Sequence, residues 1–122
     1  MKKRILVMDD DKTMRDMIGI MLSKFDHDVE FAINGEEAIE KYLAQKFDLV
    51  ILDLTIRGGI DGIDTFKSLH AHDPGVKALV ISGHAHNPLV LDPEPFGLYG
   101  SLVKPFKMES LHETVTGILD KD

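Results

Sequence analysis

The stretch ILVMDDDK, residues 5–12, changes abruptly from apolar to acidic. A short, continuous apolar run is typical of a strand that is buried on both faces, as in a parallel sheet covered by helices. Three carboxylates, Asp9, Asp10 and Asp11, follow at once and repel one another. They must therefore face water or a compensating cation, and the three need not have the same role.

A helix is predicted directly after this stretch. Asp11 occupies the position of an N-cap, where a carboxylate accepts hydrogen bonds from free backbone N–H groups. Apolar residues then recur at i, i+3, i+4, i+7, i+8 and i+11, which places them on one helical face. These residues are Met14, Met17, Ile18, Met21, Leu22 and Phe25.

The alternation of a strand with a helix repeats five times along the chain. Asn34 followed by Glu37 resembles a capping box at the second helix, and Asp73-Pro74-Gly75 predicts the end of the third. Five such units predict an α/β fold, a parallel sheet with helices on both faces, in either a flavodoxin-like or a dinucleotide-binding arrangement. The predicted strands are Ile5–Met8, Val29–Ile33, Phe47–Leu52, Val76–Ile81 and Leu102–Val103.

The fourth helix is predicted to be short or irregular. The segment GHAHNPLVLDPEPFG, residues 83–97, contains three prolines, which leave room for little more than one or two helical turns. The same segment contains His84 and His86. An HxH pair can bind a transition metal, but without a third ligand in view solvent exposure is the better interpretation.

The composition excludes several classes of protein. Within the 122 residues no apolar stretch is long enough to span a bilayer, and the absence of cysteine excludes disulfides and thiolate metal sites. The net charge of −7 argues against direct nucleic-acid binding, which needs clustered Lys and Arg. We expect one domain, residues 1–122, that is cytoplasmic and not inserted in a membrane.

Chemically reactive side chains follow four of the predicted strands. The acidic run follows strand 1, Asp53 follows strand 3, Ser82 follows strand 4 and Lys104 follows strand 5. In an open parallel sheet the carboxyl ends of all strands lie at one edge, so these residues are predicted to meet. Clustered carboxylates suit Mg²⁺, and the lysine and the hydroxyl suit an adjacent phosphoryl group. Alone, each of these residues would be interpreted as a helix cap or a turn; the joint pattern favours a site.

Across essentially its whole length the chain resembles the receiver domain of two-component response regulators. The motifs that match are ILVMDDDKTMR, DLVILDLTIRGGIDG, ALVISG and LVKPF. The resemblance looks closest to receivers attached to hybrid sensor histidine kinases. It implies a flavodoxin-like (βα)₅ fold with strand order 2-1-3-4-5. It also implies a partner that donates phosphate, either a sensor histidine kinase or a phosphotransfer protein, and a possible homodimer.

The resemblance implies a role for each residue of the predicted site. Asp53 matches the phosphoacceptor, and Lys104 matches the lysine that pairs with it. Asp9 and Asp10 match the acidic pair that holds Mg²⁺ together with Asp53.

Three further positions have implied roles. Ser82 matches the hydroxyl that bonds a phosphoryl oxygen, and the backbone carbonyl of Thr55 matches a further Mg²⁺ ligand. Thr55 and His84 lie two residues after Asp53 and Ser82, at positions that tune phosphate lifetime in such domains. Asp11 is left as a helix cap.

The chain departs from the receiver pattern at two further places. Ser101 stands where an aromatic residue usually takes part in the conformational switch, and Tyr99 cannot be assumed to replace it. The turn of residues 57–62 has Arg57 in place of a usual proline and is predicted to be one residue longer. We expect these changes to affect the readout of phosphorylation more than its chemistry.

The leading hypothesis is a phosphoacceptor receiver that is a signalling domain rather than an enzyme. The alternatives are a degenerate receiver that acts only by interaction, an Asp-nucleophile phosphatase and an FMN-binding flavodoxin. The phosphatase would need a second aspartate after Asp53-Leu54, and flavodoxin would need a Ser/Thr/Gly-rich phosphate loop where this chain has Asp9–Asp11.

Overall fold

The computed structural model describes residues 2–55 and 61–121, in which five strands alternate with five helices. In chain order these elements are β1 Arg4–Met8, α1 Lys12–Lys24, β2 Asp28–Ala32, α2 Gly35–Ala44, β3 Leu49–Asp53, α3 Gly62–His72, β4 Ala78–Ser82, α4 Pro88–Leu91, β5 Gly100–Val103 and α5 Met108–Leu119. A single 3₁₀ turn, Glu94–Phe96, lies between α4 and β5. The predicted turn at residues 57–62 falls mainly on residues 56–60, which lie outside the described ranges.

All five strands form one parallel sheet in the order β2-β1-β3-β4-β5. This confirms the flavodoxin-like alternative and the predicted order. The register aligns Met8 of β1 with Leu52 of β3, and Asp53 of β3 with Ile81 of β4. The carboxyl ends of these strands therefore meet at the same edge of the sheet.

The hydrophobic core has two layers, one on each face of the sheet. Successive residues of a strand point to opposite faces, so Ile5 and Val7 pack towards α1 and α5, whereas Leu6 and Met8 pack towards α2 and α3. All four of these side chains are essentially inaccessible to solvent. Burial on both faces explains why β1 is continuously apolar in sequence.

Helix α1 begins as predicted but buries fewer residues than its pattern suggested. The carboxylate of Asp11 accepts a hydrogen bond from the Thr13 N–H at 3.0 Å, which confirms the cap. The predictions that Met17 and Phe25 lie on the buried face were wrong, since both are nearly half exposed. The buried stripe is narrower because Ile18, together with the residues one turn later, faces the sheet; Phe25 is the C-cap and stacks on an α5 histidine instead.

The other predicted helix ends are also present. At α2, Asn34 accepts a hydrogen bond from Glu37 N–H at 2.8 Å, and the Glu37 carboxylate accepts one from Ile33 N–H at 3.0 Å. Helix α3 ends at His72, just before the predicted Asp73-Pro74-Gly75 stop. Within the described ranges, no helix is long and apolar enough to cross a membrane.

Helix α4 has only four residues, which confirms the prediction of a short fourth helix. Asn87 caps it by accepting a hydrogen bond from Leu89 N–H at 2.9 Å. The hydroxyl of Ser101, on β5, donates to the carbonyl of Val90 at 2.7 Å and ties the short helix to the sheet. The departure at position 101 thus coincides with a side-chain hydrogen bond between β5 and α4.

Candidate functional site

A cavity of about 500 Å³ opens at the edge of the sheet where the carboxyl ends of the strands meet. Its walls come from the segments that follow β1, β3, β4 and β5, as predicted for an open parallel sheet. The lining residues are Asp9, Asp10, Asp11, Asp53, Thr55, Gly83, His84 and Lys104. The structure therefore brings together residues up to 95 positions apart in the sequence.

Asp9 is the most firmly fixed of the three acidic residues after β1. Its backbone N–H donates to the Ala32 carbonyl at 3.0 Å, and its carboxylate Oδ1 accepts from the Asp11 N–H at 2.9 Å. The residue is only 1% exposed, whereas Asp10 and Asp11 are exposed. The acidic run is thus divided into one buried carboxylate and two at the mouth of the cavity.

Asp53 ends β3 and is buried to 3% exposure. Its Oδ1 accepts a hydrogen bond from the Thr55 N–H at 2.9 Å, and its Oδ2 accepts one from Lys104 Nζ at 2.9 Å. The same Lys104 Nζ lies 3.7 Å from Asp9 Oδ2. One partly buried ammonium group therefore bridges two buried carboxylates from different strands.

Burial and the neighbouring charges shift the pKa values of Asp9 and Lys104. Burial raises the pKa of Asp9 to about 6, against the effect of the Asp11 N–H and with the help of the Asp53 charge. Burial of Lys104 acts to lower its pKa, but the hydrogen bond to Asp53 and the nearby carboxylates outweigh it, so the Lys104 pKa is raised. The carboxylates share more negative charge than a single lysine can compensate.

Three carboxylates in the cavity fit a small divalent cation. Asp9, Asp10 and Asp53 each offer one oxygen, and these oxygens lie within 4.8 Å of one another. Two oxygens that share one Mg²⁺ lie at most about 4.2 Å apart, so only a small adjustment is needed. An all-oxygen donor set favours Mg²⁺ over softer metals. Three carboxylates against one ammonium also leave two negative charges, which a divalent cation would balance.

Ser82 lies at the end of β4 and is fully buried. Its Oγ accepts a hydrogen bond from the His84 N–H at 3.0 Å, and its carbonyl accepts one from the Lys104 N–H at 2.8 Å. Ser82 thus joins the loop before α4 to the segment that carries Lys104. His84 itself is exposed and lines the cavity.

The histidine pair forms no metal site with other described residues. Within residues 2–55 and 61–121, the acidic group above is the only set of three His, Cys, Asp or Glu side chains with ligand atoms this close. His84 and His86 are both exposed, as the sequence predicted.

Two contributors to the site were not predicted from the sequence. Gly62, at the start of α3, approaches β3 so closely that a Cβ there would lie 2.4 Å from the Asp53 carbonyl oxygen. Arg15, on α1, donates from Nη1 to the carbonyl of Asp9 at 2.8 Å. A signal for Arg15 was present, since it lies one helical turn after the Asp11 cap and so close to the acidic end of α1.

Comparison with known proteins identifies the family. The model of the response regulator receiver domain matches residues 5–116. The chemotaxis protein CheY of Thermotoga maritima is 34% identical over 97% of this chain and 98% of its own length. The two sequences therefore align over nearly the whole of both chains.

Solved structures with the same fold include two response regulators. A CheY-like receiver domain protein from Methanospirillum hungatei has a TM-score of 0.89 at 26% identity, covering 98% of this chain and 95% of its own. The response regulator TrrA of Thermotoga maritima, solved in complex with Mg²⁺–BeF, has a TM-score of 0.84 at 29% identity, covering 95% and 98% of the two chains.

Proposed function

The chain belongs to the receiver domains of two-component response regulators, and we propose that it accepts a phosphoryl group on Asp53 in a Mg²⁺-dependent reaction. The donor would be a phosphohistidine of a sensor histidine kinase or of a phosphotransfer protein. The phosphorylated domain would then present a changed surface to a signalling partner.

One observation carries this proposal. The Asp53 carboxylate is bonded to Lys104 Nζ at 2.9 Å and shares its cavity with two further carboxylates whose oxygens lie within 4.8 Å. If Asp53 only formed a structural ion pair, Lys104 would be a sufficient partner and the two further carboxylates would not be needed. Gathering two more negative charges around a buried aspartate is costly unless a cation and then an anion are to be bound there.

Asp53 would act as the nucleophile. One carboxylate oxygen attacks the phosphorus of the phosphohistidine, the new O–P bond forms as the P–N bond breaks, and the imidazole nitrogen leaves with the bonding electron pair. The hydrogen bond from the Thr55 N–H to Asp53 Oδ1 fixes the rotation of the carboxylate for this approach. Positioning of this kind supplies much of the rate in phosphoryl transfer.

Asp9, Asp10 and Asp53 would hold Mg²⁺, and the Thr55 carbonyl is a further candidate ligand. The bound ion would supply positive charge that neutralises charge on the phosphoryl oxygens. Lys104 already lies beside Asp53 and would pair with a phosphoryl oxygen once Asp53 is esterified. Ser82 would donate its hydroxyl to another of these oxygens. Mg²⁺, Lys104 and Ser82 would thus all interact with oxygens of the same phosphoryl group.

Phosphorylation would change the surface of the domain through the loop between Ser82 and α4. The phosphoryl group adds about −1.5 to −2 charges to a cavity lined by carboxylates. Movement of Ser82 towards it would pull on the His84 N–H, and His84 lies in the loop that precedes α4. The surface around α4 is therefore the part of the domain that we expect to change.

The proposal is tested by incubating the protein with Mg²⁺ and acetyl phosphate and measuring intact mass. We expect the mass of one added phosphoryl group in the wild type. Asp53→Asn should show none, because an amide cannot act as the nucleophile. The matched control is Asp48→Asn, an exposed aspartate that precedes the same strand. Absence of added mass in the wild type, or its retention in Asp53→Asn, would refute the proposal and favour a receiver that acts only by interaction.

His84 and Thr55 are proposed to tune how long the phosphate persists, because both line the cavity mouth beside Asp53. Replacing His84 by Ala should change the rate at which phosphorylated protein loses its added mass. An unchanged rate in both His84→Ala and Thr55→Ala would contradict this role.

A further inference from the structure

Arg15 is the one described cation that contacts the backbone of the acidic run after β1. Its guanidinium Nη1 donates to the Asp9 carbonyl at 2.8 Å, in a partly buried position. This carbonyl belongs to the peptide that joins Asp9 to Asp10. Arg15 therefore holds the plane of the peptide from which the exposed Asp10 carboxylate extends.

With this contact every polar group of Asp9 has a partner. The N–H bonds to the Ala32 carbonyl, Oδ1 accepts from Asp11 N–H and Oδ2 faces Lys104 Nζ. Only the contact from Arg15 comes from a side chain of α1. It links the position of that helix to the orientation of the metal-facing carboxylates.

Such a link matters because the carboxylates repel one another without a cation. Asp10 lies at the exposed end of this group, and its backbone nitrogen belongs to the peptide that Arg15 holds. Fixing the peptide before it limits the directions in which its carboxylate can turn, and so lowers the entropy that must be lost when a cation is bound.

We infer that Arg15 is a positioning residue for the divalent cation, which it favours by fixing the Asp9–Asp10 peptide although it carries a positive charge itself. The inference rests on the proposed function, since it concerns the Mg²⁺ of that same site. Residues that orient metal ligands from behind in this way typically change metal affinity by about 10–100-fold when they are replaced.

The sign of the effect separates positioning from simple electrostatics. Removing a positive charge beside a divalent cation should tighten binding if only Coulomb interactions change. Removing a positioning contact should weaken it. The two explanations therefore predict opposite changes in the Mg²⁺ dissociation constant.

The test uses Arg15→Met, which keeps an unbranched apolar side chain and removes the donor. Isothermal titration with MgCl₂ at constant ionic strength, without a phosphodonor, gives the dissociation constant. We expect it to rise by about tenfold. The matched control is Lys12→Met, which removes a neighbouring α1 cation that is paired with Asp16 at 2.7 Å rather than with Asp9. This variant should bind Mg²⁺ as tightly as the wild type or more tightly.

Phosphorylation kinetics provide a second readout. In Arg15→Met the rate should fall at limiting Mg²⁺ and recover at saturating Mg²⁺, whereas a general structural defect would lower it at every concentration. Melting in EDTA checks folding, and Arg15→Leu, which also lacks a donor, replaces the variant if Arg15→Met does not fold. Unchanged or tighter Mg²⁺ binding in the folded variant would overturn the inference. Absence of Mg²⁺ binding in the wild type would instead overturn the proposed function.

Discussion

The edge of the sheet that carries the site has two halves that differ in how closely they follow the receiver pattern. The acidic half, formed by Asp9, Asp10 and Asp53 at the ends of β1 and β3, has the residues that the receiver pattern implies, and the carboxylates of Asp9 and Asp53 accept backbone hydrogen bonds. The α4 half, formed by the four-residue helix α4 with Ser101 on β5, departs in both length and residue type.

This difference separates the chemistry from its readout. A phosphoryl group and a divalent cation have fixed charges and geometries, so the residues that bind them have few substitutes. A surface that signals by changing shape needs only two arrangements of similar free energy, which many side chains can provide. Lys104 is the residue that connects the halves, since it follows β5 and bonds Asp53.

The largest effect is expected from breaking that connection. Lys104→Met should lower the rate of phosphorylation by acetyl phosphate about 100-fold at saturating Mg²⁺, because a positive charge aimed at the transferred group is lost. The measurement is a time course of intact mass. Lys107→Met, an exposed lysine in the same loop, should leave the rate unchanged. Equal rates in the two variants would mean that Lys104 serves only the fold.

The second test concerns the acidic half alone. Mg²⁺ at 100 times its dissociation constant should stabilise the wild type by about 2.7 kcal/mol, which corresponds to a rise in melting temperature of about 10 °C. Asp10→Asn should lose most of this rise because a ligand is removed. Asp11→Asn should keep it, since Asn also caps a helix well. Similar losses in both variants would make Asp11 a ligand too.

The third test uses the raised pKa of Asp9. In EDTA its pKa rises from 3.8 to about 6 on folding, so the folded state binds the proton more tightly than the unfolded state. The stability that this protonation contributes is complete below about pH 4 and is lost as the pH rises through about 6. The wild type, compared with Asp9→Asn, should therefore lose stability across this window. A parallel course of the two unfolding curves with pH would contradict it.

The smallest effect is expected in the α4 half. Ser101→Ala removes the hydrogen bond to the Val90 carbonyl and should destabilise the protein by about 1 kcal/mol in urea unfolding. The rate of phosphorylation should stay as in the wild type because Asp53 and Lys104 are untouched. A fall in that rate close to the effect of Lys104→Met would show that the halves are not independent.

Much of this molecule could be predicted from local patterns. Each predicted strand agrees with the structure to within one or two residues at either end. The Asp11 and Asn34 caps are present, and the three prolines correctly predicted a short α4. These features depend on interactions within a few residues along the chain. The prediction that Asp53 and Lys104 meet needed one further rule, that parallel strands end at one edge.

Other features could not be predicted because they depend on how the elements pack. Nothing in the helical pattern of α1 distinguished Met17 and Phe25, which are exposed, from Ile18, which is buried. The stacking of Phe25 on His112 at 3.7 Å and the bond from Ser101 to Val90 join separate elements. Their partners are decided by the angle and distance between elements, which no periodicity encodes.

The three carboxylates of the acidic run after β1 show which features the sequence predicts and which depend on the folded structure. The sequence by itself determined that they end a buried strand and that Asp11 is in place to cap α1, because strand burial and helix capping are local. Only the tertiary structure decided that Asp9 is buried against Lys104 while Asp10 stays at the cavity mouth, and that Arg15 holds the peptide between them. The reason is physical: charges compensate one another through space, and the chain brings them within range only when it is folded.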